Sequence, residues 1–246
     1  MRSFLGEVIG TFVLVAIGTS SVAVAVLYNA LNLYAVAAIW AIGVSLGIYA
    51  SQKWSHSHLN PAVSLAFLFR GKITFRQFFI YLPAQFVGAF LAAVLVYLIF
   101  SNAIVLQEGN NLTEQTAMIF GEFYPNPANK ALFGFSTFGA FLLEGGGTFV
   151  LILFIFSLDK VKLGSERLHP ILIGVLVGIL IILIAPYTQC GINPARDFAP
   201  RLFSFLSGWQ GTAFDLPQYG WLTVYVAAPF LGAVLAAICS RIFRFS

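Results

Sequence analysis

The sequence predicts an all-α membrane protein with six transmembrane helices and two re-entrant half-helices, arranged as an inverted repeat. Three observations support this prediction. Charged residues make up only 9% of the 246 residues and apolar residues 59%, whereas soluble domains carry about a quarter charged residues. Long stretches contain no charge at all, and several segments recur in the same order in the two halves. We therefore expect the outer surface of the protein to be covered by a lipid bilayer.

Six apolar stretches are long enough to span a bilayer, which needs about 20 apolar residues per helix. The predicted spans are 4–28, 33–52, 77–100, 136–157, 168–187 and 221–243. Two further apolar segments, 60–69 and 193–206, are too short to cross, so we expect half-helices there. The whole chain, 1–246, is expected to form a single membrane domain, with the segment 101–135 as an external linker.

The basic residues predict the orientation. If the six spans alternate in direction, most of the 13 basic residues fall on one side, and cytoplasmic segments are enriched in Lys and Arg. Both termini are therefore expected in the cytoplasm, in a multi-pass protein of the plasma membrane. The residues on that side are Arg2, Lys53, Arg70, Lys72, Arg76, Lys160, Lys162, Arg167, Arg241 and Arg244, against Lys130, Arg196 and Arg201 on the other. They form no continuous basic face, so no nucleic-acid partner is expected.

Internal repetition predicts the inverted arrangement. The recurring segments are EVIGTF at 7–12 and EGGGTF at 144–149, Asn-Pro-Ala at 60–62 and 193–195, and AQFVGAFLAAV at 84–94 and APFLGAVLAAI at 228–238. The repeats are predicted to cover approximately 4–100 and 136–243. Because each half holds three spans, the second half must enter from the opposite face. Such repeats place solute sites near the middle of the membrane.

Each short apolar segment begins with Asn-Pro-Ala, which predicts the start of a helix. The residues are Asn60, Pro61 and Ala62, and Asn193, Pro194 and Ala195. Asn is a favoured N-cap, and Pro at the first helical position gives up an N–H that would be unpaired anyway. In an inverted repeat the two N-termini meet, each with a partial positive charge of roughly half a unit. They would repel cations and hydronium while the Asn amides bind neutral hydroxylic molecules.

The segments that lead into the half-helices, 53–59 and 188–192, are expected to be irregular backbone inside the membrane. Their carbonyls are predicted to line a pore, at His56, Ser57, His58, Leu59, Gln189, Cys190 and Gly191. Glu7 and Glu144 occupy equivalent repeat positions, and we expect these buried acids to accept hydrogen bonds from the lead-in N–H groups. A proton relay is the alternative role. Asp197 is expected to cap or brace the second half-helix.

At these motifs the sequence resembles the major intrinsic protein family, the aquaporins and glycerol facilitators. The matching motifs are Glu7-x-x-Gly-Thr-Phe, His58-Leu-Asn-Pro-Ala-Val-Ser64, Gly191-Ile-Asn-Pro-Ala-Arg-Asp-Phe198 and both Ala-x-Phe-x-Gly-Ala segments. The resemblance covers essentially the whole chain. It implies a passive channel that assembles as a homotetramer in the lipid bilayer, with a pore in each subunit. Asp197 directly after Arg196 is typical of the glycerol branch, so glycerol, water and other small neutral solutes are the expected permeants.

The resemblance also implies a constriction, or selectivity filter, formed by Trp40, Ile181, Cys190 and Arg196. Glycerol facilitators have Trp at the first position, and water-specific members usually have His where Ile181 stands. The sequence departs from the best-known glycerol facilitators, which have Gly at the Ile181 position and an aromatic residue at the Cys190 position. Arg196 is expected to hold solute oxygens and repel cations. A water-selective channel is the alternative.

Other functional classes fit the sequence less well. A secondary transporter would share the inverted repeat and the intramembrane acids. No Ser/His, His/Glu or paired Asp residues fall at matching depth, so no enzymatic activity and no cofactor are expected. His56 and His58 lie close together, but the chain has only 3 His and remote cysteines, so no metal site is predicted. Cys190 and Cys239 fall toward opposite membrane faces and are expected to be free.

Overall fold

A computed structural model describes residues 1–109, 111–129, 134–158 and 166–243 of the chain. Six of its helices are long and apolar enough to cross a membrane, which confirms the predicted all-α fold. The helices are α1 (Arg2–Tyr28), α2 (Leu33–Ser51), α3 (Pro61–Phe69), α4 (Phe75–Glu108), α5 (Glu114–Ala117), α6 (Thr137–Leu158), α7 (His169–Thr188), α8 (Pro194–Ser204), α9 (Gly211–Asp215) and α10 (Gly220–Ile242). A 3₁₀ turn at Glu166–Leu168 precedes α7, and a kinked segment, Phe205–Trp209, follows α8, with Gly208 at φ 119°. Four basic residues used for the predicted orientation, Lys130, Lys160, Lys162 and Arg244, lie outside the described residues.

The third span is the one whose predicted bounds, 77–100, were wrong. It begins at Phe75 because Thr74 and Gln77 form a reciprocal capping box, and it continues to Glu108 before Gly109 ends it at φ 62°. The helix continues through the polar pair Ser101 and Asn102, because the residues that follow are again apolar. The predicted linker 101–135 therefore contains two turns of α4 and the short helix α5. The other five spans end within two residues of their predicted bounds.

The long helices form a ring whose gap is filled by the two half-helices. Helix α1 packs against α2 and α4, α2 against α7, and α6 against α7 and α10. Helix α3 fills the gap from one side by packing on α10, and α8 fills it from the other by packing on α4. Each half-helix thus contacts a long helix of the other half of the chain. The two half-helices also contact each other.

Small residues allow the closest helix crossings. A Cβ on Gly88 of α4 would lie 2.4 Å from the carbonyl oxygen of Val8 in α1, and one on Gly232 of α10 would lie 2.2 Å from that of Gly145 in α6. These two glycines occupy the same position in the repeated Ala-x-Phe-x-Gly-Ala segments. Membrane helices associate through such close backbone contacts, because lipid offers no hydrophobic driving force between them.

Helix α10 contains a π-helical turn over Thr223–Ala227. Pro229 has no N–H to donate to the carbonyl of Tyr225, and the N–H of Ala228 instead reaches back to Thr223. A missing donor of this kind locally widens a helix. Tyr225, inside the widened turn, is fully buried beside Arg201 of α8.

The two ends of the ring differ. At one end Arg241 of α10 donates a hydrogen bond to the carbonyl of Phe69 at the end of α3, and Gly6 of α1 lies against Ser55. We call this end the terminal face. At the other end lie α5 and α9, and we call it the loop face. Large apolar side chains are exposed on the outside of the ring, including Phe79, Leu98, Val175, Leu183 and Leu231, as expected for a surface covered by lipid.

Candidate functional site

The N-termini of α3 and α8 are capped as the Asn-Pro-Ala motifs require. The side-chain oxygen of Asn60 accepts a hydrogen bond from the N–H of Ala62 at 2.8 Å, and that of Asn193 accepts from Ala195 at 3.1 Å and from Arg196 at 3.3 Å. Pro61 and Pro194 occupy the first helical positions. Both caps are buried, so the positive ends of the two helices meet inside the molecule.

The two caps also bond across to each other's lead-in segment. The amide nitrogen of Asn60 donates to the carbonyl of Ile192 at 2.9 Å, and that of Asn193 donates to the carbonyl of Leu59 at 2.8 Å. Each amide keeps a second N–H, because an Asn amide carries two. Ile192 is equivalent by repeat to Leu59, but it was absent from the predicted set of pore-lining carbonyls. Repeat symmetry could have identified it.

The lead-in segments adopt a strained backbone. Ser57 and Leu59 have φ angles of 53° and 51°, and their repeat equivalents Cys190 and Ile192 have 65° and 41°. Left-handed conformations cost non-glycine residues about 1–3 kcal/mol each. Such strain persists only where surrounding contacts determine the backbone.

Two buried carboxylates supply those contacts. Glu7 accepts hydrogen bonds from the N–H groups of His58 at 3.0 Å and Leu59 at 2.8 Å. Glu144 accepts from the N–H groups of Gly191 at 2.9 Å and Ile192 at 2.6 Å. Two side chains outside the predicted set add further donors, Gln85 to Glu7 at 2.9 Å and Thr188 to Glu144 at 2.5 Å.

A cavity of about 260 Å³ runs from the terminal face to the half-helix caps. One wall is polar and contains both Asn caps and the lead-in residues His56, Ser57, His58, Leu59, Cys190, Gly191 and Ile192. The facing wall is apolar and contains Leu14, Val44, Leu151, Ile155, Ile173 and Val177. Four residues predicted to form a constriction, Trp40, Ile181, Cys190 and Arg196, also line this cavity.

A second cavity, of about 480 Å³, lies toward the loop face. Its lining includes Gln189, which does not line the first cavity, and Glu122 of the loop before α6. Trp40, Ile181 and Arg196 line both cavities. These three residues therefore stand where the two cavities adjoin.

Arg196 contacts both an aromatic ring and a carboxylate. Its guanidinium carbon lies 4.2 Å from the centre of the Trp40 ring, a distance at which a cation is attracted to the ring face. It also forms an ion pair with Glu122, and both side chains are buried. Nothing local in the sequence singles out Glu122, because its neighbourhood is a loop without repeat or cap signals.

Asp197 was expected to cap or brace the second half-helix; the N–H groups at the start of α8 are capped by Asn193. The Asp197 carboxylate instead pairs with Arg201, one turn later, at 2.7 Å, and it accepts the N–H of Glu122 at 2.7 Å. Arg201 is 1% exposed and also donates to the carbonyls of Ala213 and Glu122. Arg201 was absent from the predicted site. Its spacing from Asp197 within a short membrane segment is the one sequence feature that pointed to a buried pair.

Comparison with known proteins identifies the family. Residues 1–240 match the sequence profile described as Major intrinsic protein. The chain belongs to the major intrinsic protein family. With six long apolar helices within its described residues, it is a multi-pass membrane protein.

Several members of the major intrinsic protein family resemble this chain over nearly its whole length. The Glycerol uptake facilitator protein of Pseudomonas aeruginosa is 36% identical over 247 residues, which cover 95% of this chain and 85% of the relative. Aquaporin-9 of Rattus norvegicus is 35% identical over 256 residues, with coverage of 98% and 82%. The X-ray structure of the aquaglyceroporin from Plasmodium falciparum has a TM-score of 0.83 at 25% identity, with coverage of 97% of this chain and 94% of that chain.

In this member of the major intrinsic protein family, the two neighbouring histidines bond to protein groups. His56 Nδ1 lies 2.6 Å from the hydroxyl of Tyr81, and His58 Nδ1 lies 3.1 Å from that of Ser64. Within the described residues, no three His, Cys, Asp or Glu side chains lie together as metal ligands would. Cys190 and Cys239 are free thiols, as expected.

Proposed function

We propose that the chain is a passive channel through which glycerol and water diffuse, and that it excludes protons and other ions. The observation that carries this proposal is the pair of cavities that adjoin at Trp40, Ile181 and Arg196. A route through both cavities would lead from one face of the molecule to the other. The names of the glycerol facilitator and aquaporin relatives support the same solutes.

The two walls of the first cavity suit an amphipathic solute. Glycerol carries hydroxyls along one edge and C–H groups along the other. Its hydroxyls would face the Asn60 and Asn193 amides and the lead-in carbonyls of His56, Ser57, His58, Leu59, Cys190 and Gly191, with Gln189 acting on the loop side. Its carbon edge would face the apolar wall formed by residues such as Leu14 and Val177. Because the acceptors are fixed before the solute arrives, little ordering cost is added during passage.

The proposed selectivity filter consists of Trp40, Ile181, Cys190 and Arg196. Arg196 would donate hydrogen bonds to solute oxygens while Trp40 and Ile181 contact the carbon edge. Cations, hydronium included, would be rejected at the half-helix caps, where two positive helix ends meet. Glu7 and Glu144 would hold the lead-in backbones, because all the hydrogen bonds described for them come from backbone N–H groups or neutral side chains.

Two variants of α7 test the proposed route. Val177 is buried and lines the first cavity, whereas Val175 is half exposed on the outer side of the same helix. We expect Val177→Trp to abolish water and glycerol flux and Val175→Trp to leave both unchanged. Stopped-flow light scattering on proteoliposomes measures water flux as shrinkage under sucrose and glycerol flux as reswelling. Equal flux through the two variants would contradict the proposed route.

A water-selective channel is the second candidate, and Ile181 discriminates between the two. The apolar side chain at this position leaves room for a carbon edge, whereas His would add bulk and a polar group. We expect Ile181→His to lower glycerol flux by about tenfold, the effect of a 1.4 kcal/mol barrier, and to lower water flux less. If the parent protein passes water but leaves glycerol at the rate of empty vesicles, the water-selective alternative is correct.

The assembly and orientation of the channel are further proposals. We infer a homotetramer in the plasma membrane with both termini in the cytoplasm and with repeats near 4–100 and 136–243. In support of the orientation, Arg70 and Arg241 lie at the ends of α3 and α10 on the terminal face. Light scattering in detergent tests the oligomer, and protease protection of a tag on the last residue tests the orientation. A monomer or an externally cleaved tag would refute the respective inference.

A further inference from the structure

The buried charge of Arg196 has carboxylates near it, and one of them contacts its guanidinium directly. Of the described residues, Glu122 is the one whose carboxylate is paired with this guanidinium. Both side chains are less than one-tenth exposed, and both line the loop-face cavity. The pair therefore sits at the junction of the two cavities, where an entering solute would first meet Arg196.

The backbone of Glu122 is fixed from both sides by a second ion pair. Its N–H donates to Asp197 at 2.7 Å, and its carbonyl accepts from Arg201. Asp197 and Arg201 are themselves paired at 2.7 Å. The preceding residue, Gly121, lies so close to Arg201 that a Cβ there would be 3.0 Å from the guanidinium carbon. The Glu122 carboxylate is thus placed by contacts that do not involve the cavity.

The carboxylate has little else to interact with. Its second oxygen, Oε2, is buried and has no hydrogen-bond partner within the described residues. A buried oxygen without a partner is costly, so the arrangement is not explained by hydrogen bonding to the loop. The interaction with Arg196 is the favourable contact described for this side chain.

We propose that Glu122 is the resident counter-ion of the filter arginine and prevents small anions from binding there. The proposal rests on the proposed function insofar as Arg196 lines the solute path. A guanidinium without a counter-ion binds planar or monovalent anions readily. The positive ends of α3 and α8 would strengthen that attraction. An anion held at the junction of the cavities would obstruct neutral solutes, so an internal carboxylate keeps the path open.

The test replaces the carboxylate by its neutral isostere. Glu122→Gln keeps the size of the side chain and an acceptor oxygen for Arg196, but it removes the charge. Glycerol and water fluxes are measured in proteoliposomes containing sodium nitrate or sodium gluconate at equal ionic strength, with gluconate chosen as an anion too large for the site. We expect nitrate to lower both fluxes of the variant by at least about threefold relative to gluconate, given the strength of an unscreened charge in a low-dielectric site.

The control removes a charge from the same face without touching Arg196. Glu114 is exposed in α5, and Glu114→Gln should be as insensitive to nitrate as the parent. Glu122→Asp keeps the charge and should restore insensitivity. If Glu122→Gln yields no folded protein, Glu122→Ala carries the same measurement. Equal fluxes of the uncharged variant in nitrate and gluconate would overturn the proposal.

A second measurement separates this proposal from the proposed function. An anion that binds the folded state raises the melting temperature, so nitrate should stabilise the detergent-solubilised Glu122→Gln protein relative to gluconate and should not stabilise the parent. A parent protein that passes neither glycerol nor water would refute the proposed function, while the nitrate-dependent melting of the variant would still report the anion site. The absence of a nitrate-dependent shift in the variant would refute the counter-ion role.

Discussion

Cys190 shows how much a single position in the lead-in segment can control. Its thiol is buried, it lines the first cavity, and it lies three positions before the Asn193 cap. The other cysteine, Cys239, is partly buried on α10 and lines neither of the two cavities described above. The two thiols therefore differ in whether an adduct on the sulfur would enter the proposed path.

We expect mercurials to block water and glycerol flux through reaction with Cys190. A mercury adduct would occupy part of a cavity of about 260 Å³, and excess thiol should reverse the block. Flux measured with and without mercurial should show that Cys190→Ser resists and that Cys239→Ser remains as sensitive as the parent. A Cys190→Ser protein that is still fully inhibited would exclude the proposed place of this thiol in the filter.

For single residues, the contacts that can be predicted from the sequence are those made with nearby or repeat-related residues. The cap role of Asn60 follows from its two neighbours, and the pairing of Glu7 and Glu144 with the lead-ins follows from repeat symmetry. Glu122 meets Asp197 and Arg201 across 75 and 79 residues of chain. Such a contact depends on the path of the loop before α6, which no periodic pattern encodes. Asp197 was expected to cap or brace the second half-helix, and its carboxylate contacts Arg201 one turn later in that helix and the N–H of Glu122.

The crossing of α6 and α10 is among the closest that glycine allows in the described part of the chain. A Cβ on Gly232 would meet the backbone oxygen of Gly145 at 2.2 Å, and backbone cannot rotate away as a side chain can. Gly146, next along α6, has nothing within 4 Å of the same constructed atom. Gly232 lies at the crossing and Gly146 on the open side of α6. Substitutions at these two positions can therefore be compared directly.

We expect Gly232→Ala to destabilise the protein by about 1–3 kcal/mol, the usual cost of overpacking. Gly146→Ala should be neutral or stabilising by up to about 1 kcal/mol, because Ala is the better helix former. Melting temperatures in one detergent, followed by intrinsic fluorescence, compare the two variants. If both variants melt together with the parent, α6 and α10 do not cross as closely as described.

Element boundaries were predictable where composition changes sharply and less so elsewhere. Five spans are bounded by turn residues or charges, and their ends were correctly placed within two residues. Helix α4 runs on past Ser101 because Ala103–Leu106 restores an apolar helical face, and hydropathy alone cannot tell a long helix from a helix followed by a loop. The π-helical turn of α10 was missed for a different reason. Pro229 removes a donor, but whether the chain kinks or widens depends on the neighbours of Tyr225.

The whole molecule brings two helix N-termini together from opposite faces. Each contributes a partial positive charge of roughly half a unit, and both caps line the first cavity. A cation crossing between Asn60 and Asn193 would lose its hydration and meet this potential. A neutral solute would only exchange its hydrogen bonds with water for those of the amides.

We therefore expect no proton or ion conductance. Proteoliposomes containing a pH-sensitive dye should dissipate a pH gradient no faster than empty vesicles, although their water flux is raised in the same preparation. The water flux is the control that the protein is inserted and open. A current above background in planar bilayers would contradict the expectation.

The crossed bonds of the two caps have a consequence for hydrogen exchange. Asn60 holds the carbonyl of Ile192, and Asn193 holds that of Leu59, so neither lead-in can open while the other stays closed. Amides that open together exchange with a common rate. Hydrogen–deuterium exchange measured by mass spectrometry should give matching rates for the N–H groups of Leu59 and Ile192. Asn60→Ala should accelerate exchange in both lead-in segments. The two segments, far apart in sequence, would then open as one cooperative unit.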